Sequence, residues 1–248
     1  MRNFSQEHQN LAERKYSYDF DDILRHYMMR TFEPFLIQGR ALEMGCYKGA
    51  FTTLLANKYD DLTVVEAAAD LIEETSQRVG NRVKFIHSTF ETLELTDRYD
   101  AIFLMHTLEH IDETALVLGK ARDWLSEKGL LFLVVPNANA PSRQIAVKMG
   151  LIPYNSAVTE AEFKHGHRRT YTFDTLERDV TAVGLNPVHR GGVFFKPLAN
   201  YQLDQLLESK VITKDYLEGC FKLGMQYPDL CASIYLICSK NLICHERS

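Results

Sequence analysis

Two carboxylates and two glycines, set at the ends of apolar runs, are the residues of this chain best placed to do chemistry. In "ALEMGCYKGA" (41–50) an apolar run carries Glu43 at its tip, and Gly45 and Gly49 follow. The glycines permit a tight turn and let the backbone approach a ligand without a Cβ in the way. A dinucleotide loop needs G-x-G-x-x-G, so that a pyrophosphate can rest on the next helix N-terminus. Here Cys46 and Tyr47 stand where further glycines would be. Glu43 would repel a diphosphate and suits a cationic group, such as an ammonium or sulfonium. Glu66 closes the next apolar run about 20 residues on, where a carboxylate accepts hydrogen bonds from ribose hydroxyls. Together the two acids imply a ligand with a ribose, a positive end and no phosphate chain.

Histidines form the second group. His106 and His110 bracket "HTLEH", and His165 and His167 lie in "KHGHRRTY". A histidine titrating near neutrality is the usual means of taking a proton from a hydroxyl. Arg168 and Arg169 beside them suit a carboxylate or phosphate, or are solvated loop charges. His106, Glu109 and His110, with His165 and His167, could be metal ligands, but their spacing matches no HExxH motif and no metal is expected. Cys46 has no histidine paired with it by spacing and reads as a packing residue.

These residues need elements to hold them. Strand candidates are 41–45, 62–66, 82–87, 100–106 and 130–136, alternating with helical patterns over 50–59, 68–79 and 112–129. In the last of these Asp112 is the expected cap and Gly129 the expected stop. This rhythm predicts βαβ units and a mostly parallel sheet with helices on both faces. It breaks after Pro136: 137–171 is irregular, a helix follows over 172–184 with Thr172 as cap, and 199–228 is a second irregular-to-helical stretch. A late strand is expected at 231–238. Residues 1–39 look helical and are expected either to close over the ligand, with Tyr16 and Tyr18 the residues to watch, or to pack on a second copy as a homodimer. One domain spanning 1–248 is the expectation, with 137–171 and 199–228 capping the acceptor. The aromatics Tyr154, Phe163, Tyr171, Phe194, Phe195, Tyr201 and Tyr216 are candidates for its roof.

With 46% apolar and 25% charged residues in 248, the composition is that of a globular protein. No apolar run approaches the roughly 20 residues that span a bilayer, and the polar start is unlike a secretory signal. The five cysteines contain no CxxC pair, which fits reduced thiols and a cytoplasmic setting. A formal charge of −5 disfavours nucleic acid.

S-adenosylmethionine (SAM) fits the ligand implied by Glu43 and Glu66. E-x-G-x-x-x-G after a first strand, an acid closing the second, and "YDAIFLMHTLEHID" at the fourth resemble class I SAM-dependent methyltransferases over about residues 36–238. The resemblance is closest to small-molecule enzymes, including the ubiquinone-biosynthesis O-methyltransferases and methyltransferases of polysaccharide and natural-product pathways. It implies a Rossmann-like seven-stranded sheet, mostly parallel, whose last strand is antiparallel. It further implies that Gly45 and its neighbours Cys46, Tyr47 and Gly49 pass beneath the methionine part of the cofactor, and that Glu66 with Ala67 holds the ribose. In "IHSTFETL", Thr89 stands where the family often has an acid facing the adenine amine. The Phe90 amide would reach the ring and Glu91 is the alternative reader of the amine. His106 and Thr107 would lie beside the methionine end. "GHRRTYTF" is similar to the family's "THxxxxF" stretch over the acceptor, which makes His167 the first candidate for base or acceptor ligand and His110 the second. His165, Arg168, Arg169 and Tyr171 would then contact the acceptor.

The expected reaction is methyl transfer to a hydroxyl, with an amine as the lesser choice, on a small molecule that carries a phosphate, another anionic group or a sugar. Its rivals are an NAD-type oxidoreductase, a non-catalytic SAM-binding module, and an RNA or protein methyltransferase. "HTLE" stands where base- and amide-methylating enzymes often carry Asn-Pro-Pro-Tyr, which favours small-molecule chemistry.

Overall fold

The computed structural model describes residues 19–241, so Tyr16, Tyr18 and Cys244 lie outside the described residues. The chain opens with α1 (Asp19–Phe32), then alternates β1 (Arg40–Met44), α2 (Ala50–Leu55), β2 (Asp61–Glu66), α3 (Ala69–Val79), β3 (Val83–His87) and β4 (Tyr99–Met105). It continues with α4 (Thr114–Trp124), β5 (Leu125–Pro136), α5 (Pro141–Lys148), α6 (Glu160–Lys164), α7 (Phe173–Ala182), β6 (Asn186–Phe195), α8 (Asn200–Glu208), α9 (Lys214–Gln226) and β7 (Cys231–Ser239).

The strands form one seven-stranded sheet in the order β3-β2-β1-β4-β5-β7-β6. β1 to β5 pair in parallel, and β7 runs antiparallel to both of its neighbours. β6 therefore points the same way as β1–β5, and its carboxyl end falls on the same edge as theirs. Strand order reverses between β1 and β4, and in open α/β sheets the crevice at such a point is where ligands bind.

The helix expected over 112–129 is divided. It ends at Trp124, and Leu125 to Gly129 are already strand, with Leu125 paired to Tyr99 across a bulge in β4. Gly129 is thus a strand residue and not a helix stop. Glu113 occupies the cap position of α4 without a side-chain cap bond, where Asp112 was expected. Thr172 does cap α7, through a reciprocal pair of bonds with Thr175. The 137–171 stretch contains the two short helices α5 and α6, and 199–228 contains α8 and α9.

Helices cover both faces of the sheet. One apolar layer joins α1, α2 and α9 to the face bearing Phe103, Phe132 and Tyr235, and the other joins α4 and α7 to Leu104, Leu133 and Leu236. α1 belongs to the first layer. Phe32 is fully buried against the rings of Phe132 and Tyr235, at centroid distances of 5.2 and 5.3 Å. Tyr27 stacks on Phe221 of α9, and Arg30 pairs with Glu218 at 2.6 Å. None of the helices among the described residues is long and apolar enough to cross a membrane. If α1 is core, Phe32→Ala will lower the stability of the chain by about 3–5 kcal/mol in urea unfolding. A loss below about 1 kcal/mol would mark α1 as a detachable flap.

Candidate functional site

A cavity of about 620 Å³ opens at the carboxyl edge of the sheet, over the β1/β4 switch point. Its volume is within the usual range of small-molecule sites, roughly 300–1,000 Å³. Four loops build one end of it, and the 137–171 stretch, β6, β7, α1 and α8 build the other.

The first loop turns at Gly45. Its φ of 87° lies in the left-handed region, and a Cβ there would stand 2.9 Å from Thr107 Oγ1. Thr107 in turn donates to the Met44 carbonyl at 3.0 Å, which ties the tips of β1 and β4 together. Gly49 caps α2 at φ 78°, and a Cβ there would collide with Thr75 Cγ2 at 2.6 Å. Tyr47, at φ 47°, and His106, at φ 53°, are held left-handed without being glycine. Such residues cost on the order of 1–3 kcal/mol and collect at functional sites.

Glu66 organises this end. Its Oε2 accepts from the Cys46 amide at 3.1 Å, and its Oε1 accepts from the Ala67 and Ala68 amides at 2.8 and 3.0 Å. The carboxylate is thereby fixed in orientation while it still lines the cavity. Gly45, Tyr47 and Ala67 line it too, as do Thr89, Phe90 and Glu91 after β3 and His106 and Thr107 after β4.

Three residues expected at the cofactor do not line the cavity. Cys46 is buried and offers the loop its amide, and Gly49 lies behind, against Thr75. Glu43 is 1% exposed, under the loop and beside Thr52, with no hydrogen-bond partner for Oε2. Burial raises its pKa to about 8, with the Glu66 charge adding to the rise and Thr52 and Arg25 opposing it. Glu43 is therefore a neutral carboxyl beneath the site and not a counter-charge within it.

At the other end, His110 and His167 meet edge to face, with ring centroids 4.6 Å apart. A backbone bond from the Arg168 amide to the Glu109 carbonyl, 2.8 Å, joins the two segments that carry them. Glu109 Oε2 and His167 Nδ1 are buried without a partner. Burial holds Glu109 near 8, and it holds His167 down at about 4 although Glu162 pulls the other way. Glu109, His110 and His167 place ligand atoms within 4.8 Å of one another, so this is the set among the described residues that could hold a metal ion. Sequence spacing misses it, because His167 arrives from a distant loop.

The arginines expected to touch the acceptor instead brace that loop. Arg168 pairs with Asp112 at 3.1 Å, and Arg169 donates to Thr114 Oγ1 and to the carbonyls of Ile111 and Asp112, each at 3.0 Å. Tyr171 is 1% exposed, with its backbone carbonyl accepting from Ala138. None of the three lines the cavity, whereas His165 does. Of the seven aromatics considered for the roof, Tyr201 lines it.

The sequence reading missed several lining groups. Asp21 and Arg25 come from α1, and Lys196 follows β6. Ser233, near the start of β7, stands 2.8 Å from His106 Nε2. His106 is kept neutral, its pKa lowered to about 3 by burial and then by Arg25, His167 and Lys196. Lys196 and Ser233 sit at the same sheet edge as Glu66, a signal that becomes readable once β6 is known to run parallel to β1.

Residues 14–190 match a family described as "Methyltransferase domain". The chain belongs to the class I SAM-dependent methyltransferases. As a methyltransferase it is similar to a ubiquinone biosynthesis O-methyltransferase of Dinoroseobacter shibae, 25% identical over 64% of this chain and 65% of that protein. It is also similar to (S)-coclaurine N-methyltransferase of Thalictrum flavum, 31% identical over 37% of this chain and 27% of that protein. The match thus spans less than two thirds of either relative. In fold it resembles the N-methyltransferase NodS of Bradyrhizobium japonicum in complex with S-adenosylhomocysteine, with a TM-score of 0.60 at 14% identity over 95% and 96% of the two chains.

The buried carboxyl beneath the methyltransferase loop has a measurable signature. Its pKa is raised on folding, so the stability it lends is complete below the unfolded value of 4.5 and is lost as the pH climbs to about 8. Glu43→Gln will therefore stabilise the chain at pH 8 by at least the ~1.4 kcal/mol that one pKa unit represents. The gain will fall as the pH drops and vanish about one unit below the unfolded value of 4.5. Equal unfolding midpoints for the two proteins at pH 8 would show that Glu43 is hydrated and ionised.

Proposed function

We propose that the chain transfers a methyl group from SAM to a hydroxyl of a small molecule. The observation that carries this reading is the two-ended cavity, with an oriented carboxylate at one wall and the imidazole of His167 at the other. Glu66 fits a ribose hydroxyl through Oε2, since Oε1 is taken up by the Ala67 and Ala68 amides while Oε2 accepts from the Cys46 amide and keeps a lone pair for the cavity. Gly45 fits the methionine part, because without a Cβ its backbone can turn at the cavity wall, where a side chain would press on Thr107. Arg25, 5.9 Å over the Tyr47 ring, is placed to meet the cofactor's carboxylate. Thr89, Phe90 and Glu91 would border the adenine.

The cofactor supplies an electrophilic methyl group whose leaving sulfur needs no acid. The residues have then to orient the acceptor and receive its proton. Burial lowers the His167 pKa to about 4, so the cavity-lining imidazole is neutral and can offer a ring lone pair to an acceptor hydroxyl. A positive charge arriving there would favour ionisation of Glu109 nearby, which would stabilise the imidazolium. The neutral His106, fixed on Ser233, would orient the acceptor beside the methyl group. The resemblance to O-methyltransferases supports a hydroxyl acceptor, and the N-methylating relatives make amines the comparison class in any screen.

Two variants test the two walls. Glu66→Ala removes charge-assisted bonds worth about 1.5–3 kcal/mol each, so S-adenosylhomocysteine affinity will fall at least tenfold in calorimetric titration. Unchanged affinity would remove Glu66 from the ribose. His167→Ala will lower kcat by about 10²-fold or more with cofactor affinity nearly intact. A normal rate would take it out of the reaction.

A further inference from the structure

Lys196 is a half-buried cavity-lining group that methyl transfer as described above does not use. It follows β6, at the carboxyl edge of the sheet, directly after Phe194 and Phe195. Phe194 is held at φ 68°, a left-handed conformation that is strained for a phenylalanine. Its ring is locked against Phe20 and Tyr27 of α1 at 5.0 and 5.4 Å. The Lys196 carbonyl accepts from the Ser142 amide at 3.2 Å, which fixes the backbone from the side of α5. Held from both sides, the side chain runs into the cavity wall.

Among the described residues, no carboxylate makes an ion pair with the ammonium there. Its hydrogen bond goes to the neutral Asn200 Oδ1 at 2.6 Å, and Asn200 in turn donates to Asp21 at 2.7 Å. Asp21 thus acts on Lys196 through an intervening amide and makes no ion pair with it. The neighbouring Arg143 is already satisfied by Glu162 at 2.5 Å and by the carbonyls of Asn155 and Ala157. Arg143 and Glu162 cancel each other, which leaves Lys196, with Asp21 set beyond Asn200, as the cation of this wall without a carboxylate in direct contact. Burial pulls its pKa down to about 8, against the pull of Asp21. Removing an ammonium from water without a partner is costly, by several kcal/mol. A ligand anion would remove that cost on binding.

We propose that Lys196 anchors an anionic group of the methyl acceptor, a carboxylate or a phosphate, and so selects acidic acceptors. The inference rests on the reading of the cavity as a methyl-transfer site. It moves the anion contact from Arg168 and Arg169, which brace a loop, to a side chain that faces the cavity. The chemistry has two sources, since the cofactor also carries a carboxylate. Arg25, beside the Gly45 loop, is assigned to the cofactor and Lys196 to the acceptor.

The test titrates inorganic phosphate, at constant ionic strength and pH 7, into the chain saturated with S-adenosylhomocysteine, and follows saturable thermal stabilisation. The wild-type chain will bind phosphate, and Lys196→Met will bind it at least tenfold more weakly. S-adenosylhomocysteine affinity, read by calorimetry, will be unchanged. Lys196→Gln serves as a second variant and will show the same loss. Equal phosphate affinity in wild type and variants, or none in wild type, would overturn the proposal. So would a tenfold loss of S-adenosylhomocysteine affinity in the variants, which would give Lys196 to the cofactor. A wild-type chain that binds no S-adenosylhomocysteine but still binds phosphate through Lys196 would sink the cofactor reading and leave the anion site standing.

Discussion

The site depends on one carboxylate and the three amides it collects. Glu66 joins the Gly45 loop, the end of β2 and the start of α3 through the amides of Cys46, Ala67 and Ala68. Without an acceptor there, three buried donors from two loops would lack partners, and each would cost about 1–3 kcal/mol. The same bonds orient the carboxylate toward the cavity. A group that organises two loops and also faces the ligand makes cofactor affinity and loop order difficult to separate. The strained φ values of Tyr47 and His106 on the facing loops belong to the same construction, since both are kept in place by the ends of strands that cannot move.

The histidine end is assembled differently. No strand tip delivers His167. It is brought to Glu109 and His110 by a loop whose guanidinium groups grip carbonyls and a carboxylate of the segment after β4. These arginines are satisfied by their neighbours, which is why they are poor candidates for contact with a substrate anion. Lys196 differs in just this respect.

Much of this was readable in the chain itself. Period and punctuation placed β1 to β5 and β7, while the count of seven came from the family resemblance, and Thr172 was recognisable as a cap because its side chain acts on the local backbone. Loop chemistry at Gly45 and Glu66 was legible for the same reason: a glycine turn and an acid closing a strand are local features. The divided 112–129 segment was not, because Leu125 becomes strand through pairing with Tyr99, a partner distant in sequence. Glu43 reads from the sequence as facing the ligand and instead lies beneath the loop, since strand alternation alone does not say whether a tip residue faces the ligand or the helix beneath. Ser233 and Lys196 escaped notice because their relevance follows from the direction of β6 and β7, which pairing determines.

The position of β7 orders events in time as well as in space. β6 pairs with β7 and with no other strand, so its edge stays open until residues 231–239 have been made. The five parallel strands have no such wait, because β1 to β4 and one edge of β5 find their partners within residues 40–136. During synthesis, with folding N-terminal first, the half that carries Glu66 can therefore take shape on the ribosome while Lys196 and Ser233 are still unplaced. A nascent chain of this kind would acquire its nucleoside-binding loops before it could discriminate among acceptors.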